Sequence, residues 1–264
     1  MHNVKNQPDK ILLAPNEHYT LGADEFGMEG LIAIESVGPF TEVLVIGPLI
    51  TVHDSVIYAG QGIGHHPHRF NERLFYLEKG TFDHDDALNN VQGHIKDGGM
   101  ARFTEGQRGM VHKEWNNGNM DSEIFILVAT TDPIPEDMLF EILERNDMPV
   151  KEEAPGVRVR YMVGGGAPIK IYSDIRTFTD TEMNRHSKIT WEIPADEGGL
   201  LSVREGEITA AADEMAKKWT LLLPPSKKPR TIRLVANTKA RIIRTTFGWG
   251  EGLVTRSSLS TNKY

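Results

Sequence analysis

The sequence predicts a mostly β protein of the sandwich or barrel type. Runs of β-branched and aromatic residues are broken at short intervals by Gly, Pro and Asn, a pattern typical of short strands joined by tight turns. The composition is that of a globular chain, with 39% hydrophobic and 25% charged residues. A length of 264 residues fits a single large domain or two medium ones.

The predicted strands fall into two series separated by a connector. Eight short strands are predicted in the first half: 30–36, 41–46, 49–54, 66–76, 80–86, 93–96, 110–114 and 124–129. Residues 136–146 have apolar residues at helix-like spacing. The second half resembles a weaker copy of the first, with predicted strands at 169–172, 188–193, 199–204, 207–211, 219–223, 231–236 and 240–246.

Charge and cysteine content exclude several classes of function. Residues 1–130 hold 9 Lys or Arg against 18 Asp or Glu, so the first half is acidic. This charge suits a basic protein partner and does not suit nucleic acid. The chain has no Cys, which excludes disulfides, thiolate metal sites and Cys nucleophiles. Residues 1–8 lack the apolar core of a signal peptide, and Gly47 and Pro48 interrupt the longest apolar stretch. We therefore expect a cytoplasmic protein with no membrane partner.

Two pairs of polar residues have the spacing of metal ligands. His66 and His68 are two residues apart, so in a strand both side chains project from the same face. His112 and Glu114 repeat this spacing about forty residues later. Three imidazoles and one carboxylate suit a borderline divalent ion such as iron, copper, nickel or zinc, and disfavour calcium and magnesium. Four ligands on an octahedral ion leave two positions open, as a catalytic centre requires.

The residue pattern leaves the identity of the carboxylate open. Glu72 has the same parity as His66 and His68, and it faces the same side if the strand continues without a bulge. His65 has the opposite parity and is expected in a loop or beside the ligands. Three further histidines of this half are expected at surface or structural positions: His53, His84 and His94.

Residues 60–80 fit the first cupin motif, which is Gly, five residues, His-x-His, three residues, Glu, and about six residues to Gly, here seven. More specifically, the chain resembles the pirin family between residues 60 and 115. The residues that carry this resemblance are His66-Pro67-His68-Arg69 with Glu72, Tyr76-Leu77-Glu78, His84-Asp85-Asp86 and Arg108-Gly109-Met110-Val111-His112-Lys113-Glu114. Pirins often carry Pro-Gly-Asp where this chain has Gly98-Gly99-Met100, so we expect different walls of the substrate pocket.

The resemblance implies a bicupin, that is, two antiparallel jelly-roll β-barrels packed face to face. The expected layout is a metal-binding barrel over 1–132, a linker with a short helix over 133–160, and a degenerate barrel without metal over 161–264. The second barrel offers only His186. The resemblance also implies Fe²⁺ as the metal, with Cu, Ni, Mn or Zn as alternatives. Its implied ligands are His66, His68, His112 and Glu114, which favours Glu114 over Glu72.

The resemblance further implies a reaction. Some pirins are similar to quercetin 2,3-dioxygenases, which cleave a flavonol with O₂ and release carbon monoxide, so the expected partners are O₂ and a small aromatic or enolic substrate. Glu114 then has a second expected role, as the general base for the substrate hydroxyl. Other pirins resemble redox-dependent transcription co-regulators, and an isomerase or lyase using Zn or Mn as a Lewis acid is a further alternative.

Overall fold

The computed structural model describes residues 8–260, and nearly all of its regular structure is β. Residues 1–7 and 261–264 of the predicted layout lie outside the described residues. The short helices are α1 (Ala23–Phe26) and α2 (Arg256–Ser260). The strands are β1 (Ile11–Leu13), β2 (Tyr19–Leu21), β3 (Leu31–Val37), β4 (Val43–Ile46), β5 (Leu49–Ile57), β6 (Gly62–His68), β7 (Asn71–Lys79), β8 (Thr81–Asp86), β9 (Val91–Lys96), β10 (Met100–Thr104), β11 (Met110–Trp115), β12 (Ser122–Thr130), β13 (Leu139–Leu143), β14 (Val150–Ala154), β15 (Val157–Val163), β16 (Ile175–Met183), β17 (Lys188–Ile193), β18 (Gly198–Glu205), β19 (Glu207–Ala210), β20 (Asp213–Ala216), β21 (Thr220–Leu223), β22 (Arg230–Ala236), β23 (Ala240–Phe247) and β24 (Leu253–Thr255).

These strands form two units, each made of a large and a small antiparallel sheet. In the first unit, a nine-stranded sheet with the path β13-β10-β7-β12-β5-β3-β2, extended by β4 and β24, faces a four-stranded sheet in the order β6-β11-β8-β9. In the second unit, a seven-stranded sheet in the order β1-β21-β18-β23-β16-β15-β14 faces a four-stranded sheet in the order β17-β22-β19-β20. The predicted bicupin jelly-roll arrangement is confirmed.

The large sheets bury both of their faces, which explains the continuous apolar runs in their strands. On β7, Phe75 and Leu77 belong to the core inside the first unit. Leu74 and Tyr76 point to the other side and belong to a core shared with Phe178 of the second unit. Alternate residues of a strand face opposite sides, so a sheet packed on both faces has apolar residues at successive positions in the middle of its strands. The two units therefore meet through their large sheets.

Each end of the chain pairs with the unit that lies far from it in sequence. β1 joins the second unit beside β21, with Leu12 opposite Leu221. β24 joins the first unit beside β4, with Val254 opposite Val45. The observed sheets therefore differ from the expected division into 1–132 and 161–264 at both ends of the chain.

The helix expected over residues 136–146 is wrong, because the structure has the strand β13 there, followed by a short 3-10 turn at Arg145–Asp147. β13 pairs antiparallel with β10, with Phe103 opposite Phe140. Met138, Phe140 and Ile142 pack against the core of the first unit at every second position. This period of two is a strand pattern. The apolar residues at 138, 139, 142 and 143 also fit a helix, but that pattern leaves out the aromatic ring at 140.

Other differences concern strand boundaries. The predicted strand 66–76 is two strands, β6 and β7, joined by a tight turn in which Phe70 adopts a φ of 82°. Residues 169–172 do not form a strand, and the predicted ranges lack β1, β2, β10, β14, β15, β16, β20 and β24. No helix in residues 8–260 is both long enough and apolar enough to cross a membrane.

Candidate metal centre

The small sheet of the first unit brings the predicted histidines together. β11 lies between β6 and β8 in this sheet. On one side of β11, His112 is directly opposite His66, and Met110 is opposite His68. Because residues two apart in a strand share a face, the three imidazoles lie on the same side of the sheet. An irregularity in the pairing follows between His112 and Glu114, so that Glu114 lies opposite Ile63.

The three histidines form a compact cluster. One nitrogen from each ring of His66, His68 and His112 lies within 4.8 Å of the others, an arrangement that could hold a metal ion. The ring centroids are 4.6 Å apart for His66 and His112, 4.7 Å for His66 and His68, and 5.0 Å for His68 and His112. His112 is fully buried, whereas the other two rings are half-buried. The cluster therefore opens to solvent on the β6 side.

Burial keeps these rings neutral at physiological pH. Burial removes the water that would stabilise a charged ring, which lowers the pKa of His66 and of His112 and lowers the pKa of His68 to about 2. The positive charge of Arg73 lowers the pKa of each ring further. A neutral imidazole carries one bare nitrogen, which is the form that binds a metal ion.

Glu114 lies beside the histidine cluster. Its Oε1 is 3.6 Å from Nδ1 of His112. The side chain is buried, and burial raises the pKa of Glu114 to about 7. Within the described chain, Glu114 Oε1 and His112 Nε2 are both buried without a hydrogen-bond partner. Buried polar atoms are normally paired, so two adjacent residues with unpaired atoms fit a site that receives a cation.

Arg73 connects the cluster to a buried carboxylate. Its Nη2 lies 2.7 Å from Nδ1 of His68, and its Nε donates to Oε1 of Glu105 at 2.6 Å. Glu105 is fully buried, so the ion pair balances the charge of Arg73. The pair holds the guanidinium group against the edge of the cluster. A guanidinium group can only donate, so His68 accepts at Nδ1 and must exchange this contact before its Nε2 can be bare for a cation.

Glu72, the alternative carboxylate, is engaged elsewhere. It accepts hydrogen bonds from Thr104 Oγ1 at 2.8 Å, from the backbone N–H of Ser173 at 3.0 Å and from Ser173 Oγ at 2.7 Å. The backbone N–H of Tyr172 donates to both carboxylate oxygens at 3.1 Å. These donors supply hydrogen bonds to both carboxylate oxygens. Glu72 is not part of the histidine group.

His84 is a neighbour of the cluster that the sequence interpretation had placed among surface or structural residues. It lies on β8 opposite Glu114, and its side chain is buried. Its Nδ1 is 3.1 Å from Nδ1 of His112. The signal in the sequence is Phe82, an apolar residue two positions before His84, because residues of the same parity share a face and both are buried along β8.

Three other histidines of this half are not part of the cluster. His65 is exposed on β6, with parity opposite to that of the clustered rings. His53 Nε2 is 2.9 Å from Oε2 of Glu35, and His94 Nδ1 is 2.6 Å from Oδ1 of Asp83. These two rings take part in structural contacts.

Comparisons with known proteins agree with this geometry. The pirin family model matches residues 25–127, the part of the chain that carries the cluster. A pirin-like protein of Arabidopsis thaliana is 28% identical over 187 residues, which is 67% of this chain and 59% of the relative. The quercetin 2,3-dioxygenase of Escherichia coli K12 is 38% identical over 68 residues, 26% of this chain and 29% of the relative.

The fold extends the likeness to most of the chain. The solved structure of the bacterial pirin YhhW of Escherichia coli in complex with nickel(II) superposes with a TM-score of 0.75, at 17% identity, over 91% of this chain and 99% of the other. The match to the plant relative spans about three fifths of that protein's length. Residues 25–127 therefore resemble the pirin family in sequence, and the fold of the described chain is similar to that of a solved pirin structure.

Proposed function

We propose that this protein is a metal-dependent dioxygenase of the pirin type that opens the central ring of a flavonol such as quercetin, or of a related enolic or phenolic substrate. The observation that carries the proposal is the pair of unpartnered buried atoms, His112 Nε2 and Glu114 Oε1, next to two further imidazoles. The likeness to proteins named quercetin 2,3-dioxygenase supports the choice of reaction. The cytoplasmic location predicted from the sequence is part of this proposal.

The proposed ligands are His66, His68, His112 and Glu114. Three neutral imidazoles and a carboxylate suit Fe²⁺, with Ni²⁺, Cu²⁺, Mn²⁺ or Zn²⁺ as alternatives. The nickel complex of the Escherichia coli pirin makes Ni²⁺ a useful probe. When bound, such an ion supplies a positive centre that attracts an anionic oxygen and, for a redox-active ion, a route for electrons to O₂.

The residues of the chain then have separate tasks. The half-buried rings of His66 and His68 border the open side, so substrate approaches past them. The second carboxylate oxygen of Glu114 is the proposed acceptor for the proton of the substrate hydroxyl, which makes that oxygen an enolate. General bases of this kind contribute typically about 10²–10⁴-fold to a rate. In the overall reaction one flavonol and one O₂ give a ring-opened ester and one carbon monoxide.

A flavonol assay with metal analysis tests the proposal. Protein purified without added ions is analysed for metal, loaded anaerobically with Fe²⁺ and mixed with quercetin, with and without air. We expect O₂-dependent loss of quercetin absorbance and release of carbon monoxide. H66A and E114Q should abolish both, whereas H65A, which removes the adjacent exposed imidazole, should keep them.

Other outcomes would contradict the proposal. Turnover of an enolic substrate without O₂ would indicate a Lewis-acid isomerase or lyase. Metal binding without turnover, combined with partner binding that depends on the oxidation state of iron, would indicate a co-regulator.

A further inference from the structure

A second buried histidine lies behind the cluster and contacts a proposed ligand. His84 Nδ1 is 3.1 Å from His112 Nδ1, which is within hydrogen-bond distance for two ring nitrogens. Glu114 Oε1 is 3.6 Å from the same His112 nitrogen, which is longer than a hydrogen bond. His84 is therefore the hydrogen-bond partner of His112 at this position.

The ring of His84 is held in place by aromatic packing. It stacks on Phe140 of β13, with centroids 4.9 Å apart and planes inclined by 19°. The ring of Phe103 packs against it at 4.6 Å with a tilt of 58°. Rings locked by packing keep their hydrogen-bonding atoms in fixed positions. Packing in the barrel core therefore fixes the orientation of the His84 ring and its contact with His112.

A hydrogen bond between two neutral imidazoles has two possible directions. If His112 donates from Nδ1, its Nε2 is bare and can bind a cation. If His84 donates instead, the neutral ring of His112 carries its proton on Nε2 and cannot bind a cation there. Ligand histidines generally donate their second N–H to a neighbouring acceptor, and this contact fixes the tautomer and the ring orientation.

We infer that His84 is a positioning residue whose Nδ1 accepts the Nδ1–H of His112, so that Nε2 of His112 is ready for a metal ion before the ion arrives. The inference rests on the proposed metal centre. Nε2 of His112 and Nε2 of His84 are both buried without a hydrogen-bond partner in the described chain, but only His112 belongs to the histidine group that could hold a cation, so the bare nitrogen is assigned to His112. A neutral histidine in this position adds no negative charge to the site, unlike the carboxylates that often take this role.

Nuclear magnetic resonance of the metal-free, ¹⁵N-labelled protein tests the direction of the bond. We expect the proton on Nδ1 of His112, coupled through the hydrogen bond to Nδ1 of His84, and a bare Nε2 on His112. A proton on His112 Nε2 in the metal-free protein would overturn the inference. This measurement needs no metal, so it stays decisive even if the protein binds no ion and the proposed function fails.

Two variants at position 84 separate the hydrogen bond from packing. H84F keeps an aromatic ring against Phe140 and removes the acceptor, and we expect its affinity for Ni²⁺ to fall about 10–100-fold. H84N can place an amide oxygen where Nδ1 stands, and we expect most of the affinity to return.

F75L is the matched control, because Phe75 packs in the same core without contacting His112. It should lower stability and leave Ni²⁺ affinity unchanged. Folded H84F that binds Ni²⁺ as tightly as the unmodified protein would overturn the inference, as would H84N that fails to restore binding. If H84F does not fold, H84N and the magnetic resonance measurement still decide.

Discussion

Glu72 on β7 accepts hydrogen bonds from both the backbone N–H and the hydroxyl of Ser173, at 3.0 and 2.7 Å. Glu72 belongs to the large sheet of the first unit, and Ser173 comes shortly before β16 of the second unit. The glutamate of the first cupin motif therefore fastens the two units together. It lies four residues after His68 in the chain, but its hydrogen bonds join the two units and do not reach the histidine cluster.

Replacing Glu72 by Gln should lower stability and spare metal binding. The amide group would present an N–H to a site filled with N–H and O–H donors, which leaves buried polar atoms unpaired. We expect a loss of about 1–3 kcal/mol in the free energy of unfolding, measured with urea. Ni²⁺ affinity should stay close to that of the unmodified protein. An affinity loss as large as that of H66A would show that Glu72 acts at the metal centre.

A second contact between the units is a buried network of charges. Arg204 of β18 donates to Asp54 of β5 at 2.7 Å, and its Nη2 lies 2.7 Å from Oε1 of Glu78 on β7. Arg241 of β23 pairs with Glu78 at 2.8 Å and with Asp180 at 2.9 Å. The carboxylates raise the pKa of both guanidinium groups, which therefore stay charged.

Removing Arg204 should strongly destabilise the fold. R204M keeps most of the side-chain volume, removes the cationic partner of Asp54 and leaves Glu78 with Arg241 alone in a buried site. Breaking a buried pair from one side typically costs about 3–5 kcal/mol. K79M is the control, because Lys79 forms an exposed pair with Glu123 at 3.6 Å and should change little. Equal urea midpoints for R204M and K79M would contradict this expectation.

The first unit should not be stable when it is expressed alone. Residues 1–132 would expose the face of the large sheet that carries Leu74, Tyr76, Phe125 and Leu127, all buried in the shared core of the full chain. Such a fragment would also lack β13 and β24, which complete that sheet. We expect it to aggregate or to bind a hydrophobic dye strongly, because large exposed apolar faces drive association. A monomeric fragment with cooperative unfolding and no dye binding would show that the unit is independent.

Local spacing was sufficient to predict two pairs of ligands, while the meeting of the two pairs depends on the pairing of β6 with β11. His66 and His68 project from the same face because they are two residues apart in one strand, and the same holds for His112 and Glu114. The parity argument failed for Glu72 because the chain turns at Phe70, so His68 and Glu72 lie on different strands. A parity count is valid only within one uninterrupted strand.

Contacts between strands were beyond the reach of the sequence. The pairing of β8 with β11 that places His84 behind His112 depends on register, which a single sequence does not encode locally. The exchange of β1 and β24 between the units is likewise a long-range pairing. Residues 136–146 show a further difficulty. An apolar segment of this length fits both the helix period and the strand period of two unless Phe140 is counted.

Metal binding should stabilise the folded protein, and replacing a ligand residue should reduce or abolish this stabilisation. An ion that binds only the folded state adds about 2.7 kcal/mol to the free energy of unfolding at a concentration of 100 times its Kd. We expect Ni²⁺ to raise the melting temperature of the unmodified protein and of H94A, whose imidazole is exposed and pairs with Asp83. H112A should lose the effect, and E114Q should show a smaller effect, because an amide oxygen binds a cation less strongly than a carboxylate. A melting temperature that rises equally in H112A and H94A would mean that Ni²⁺ binds elsewhere, and the cluster would then have no role as a metal site.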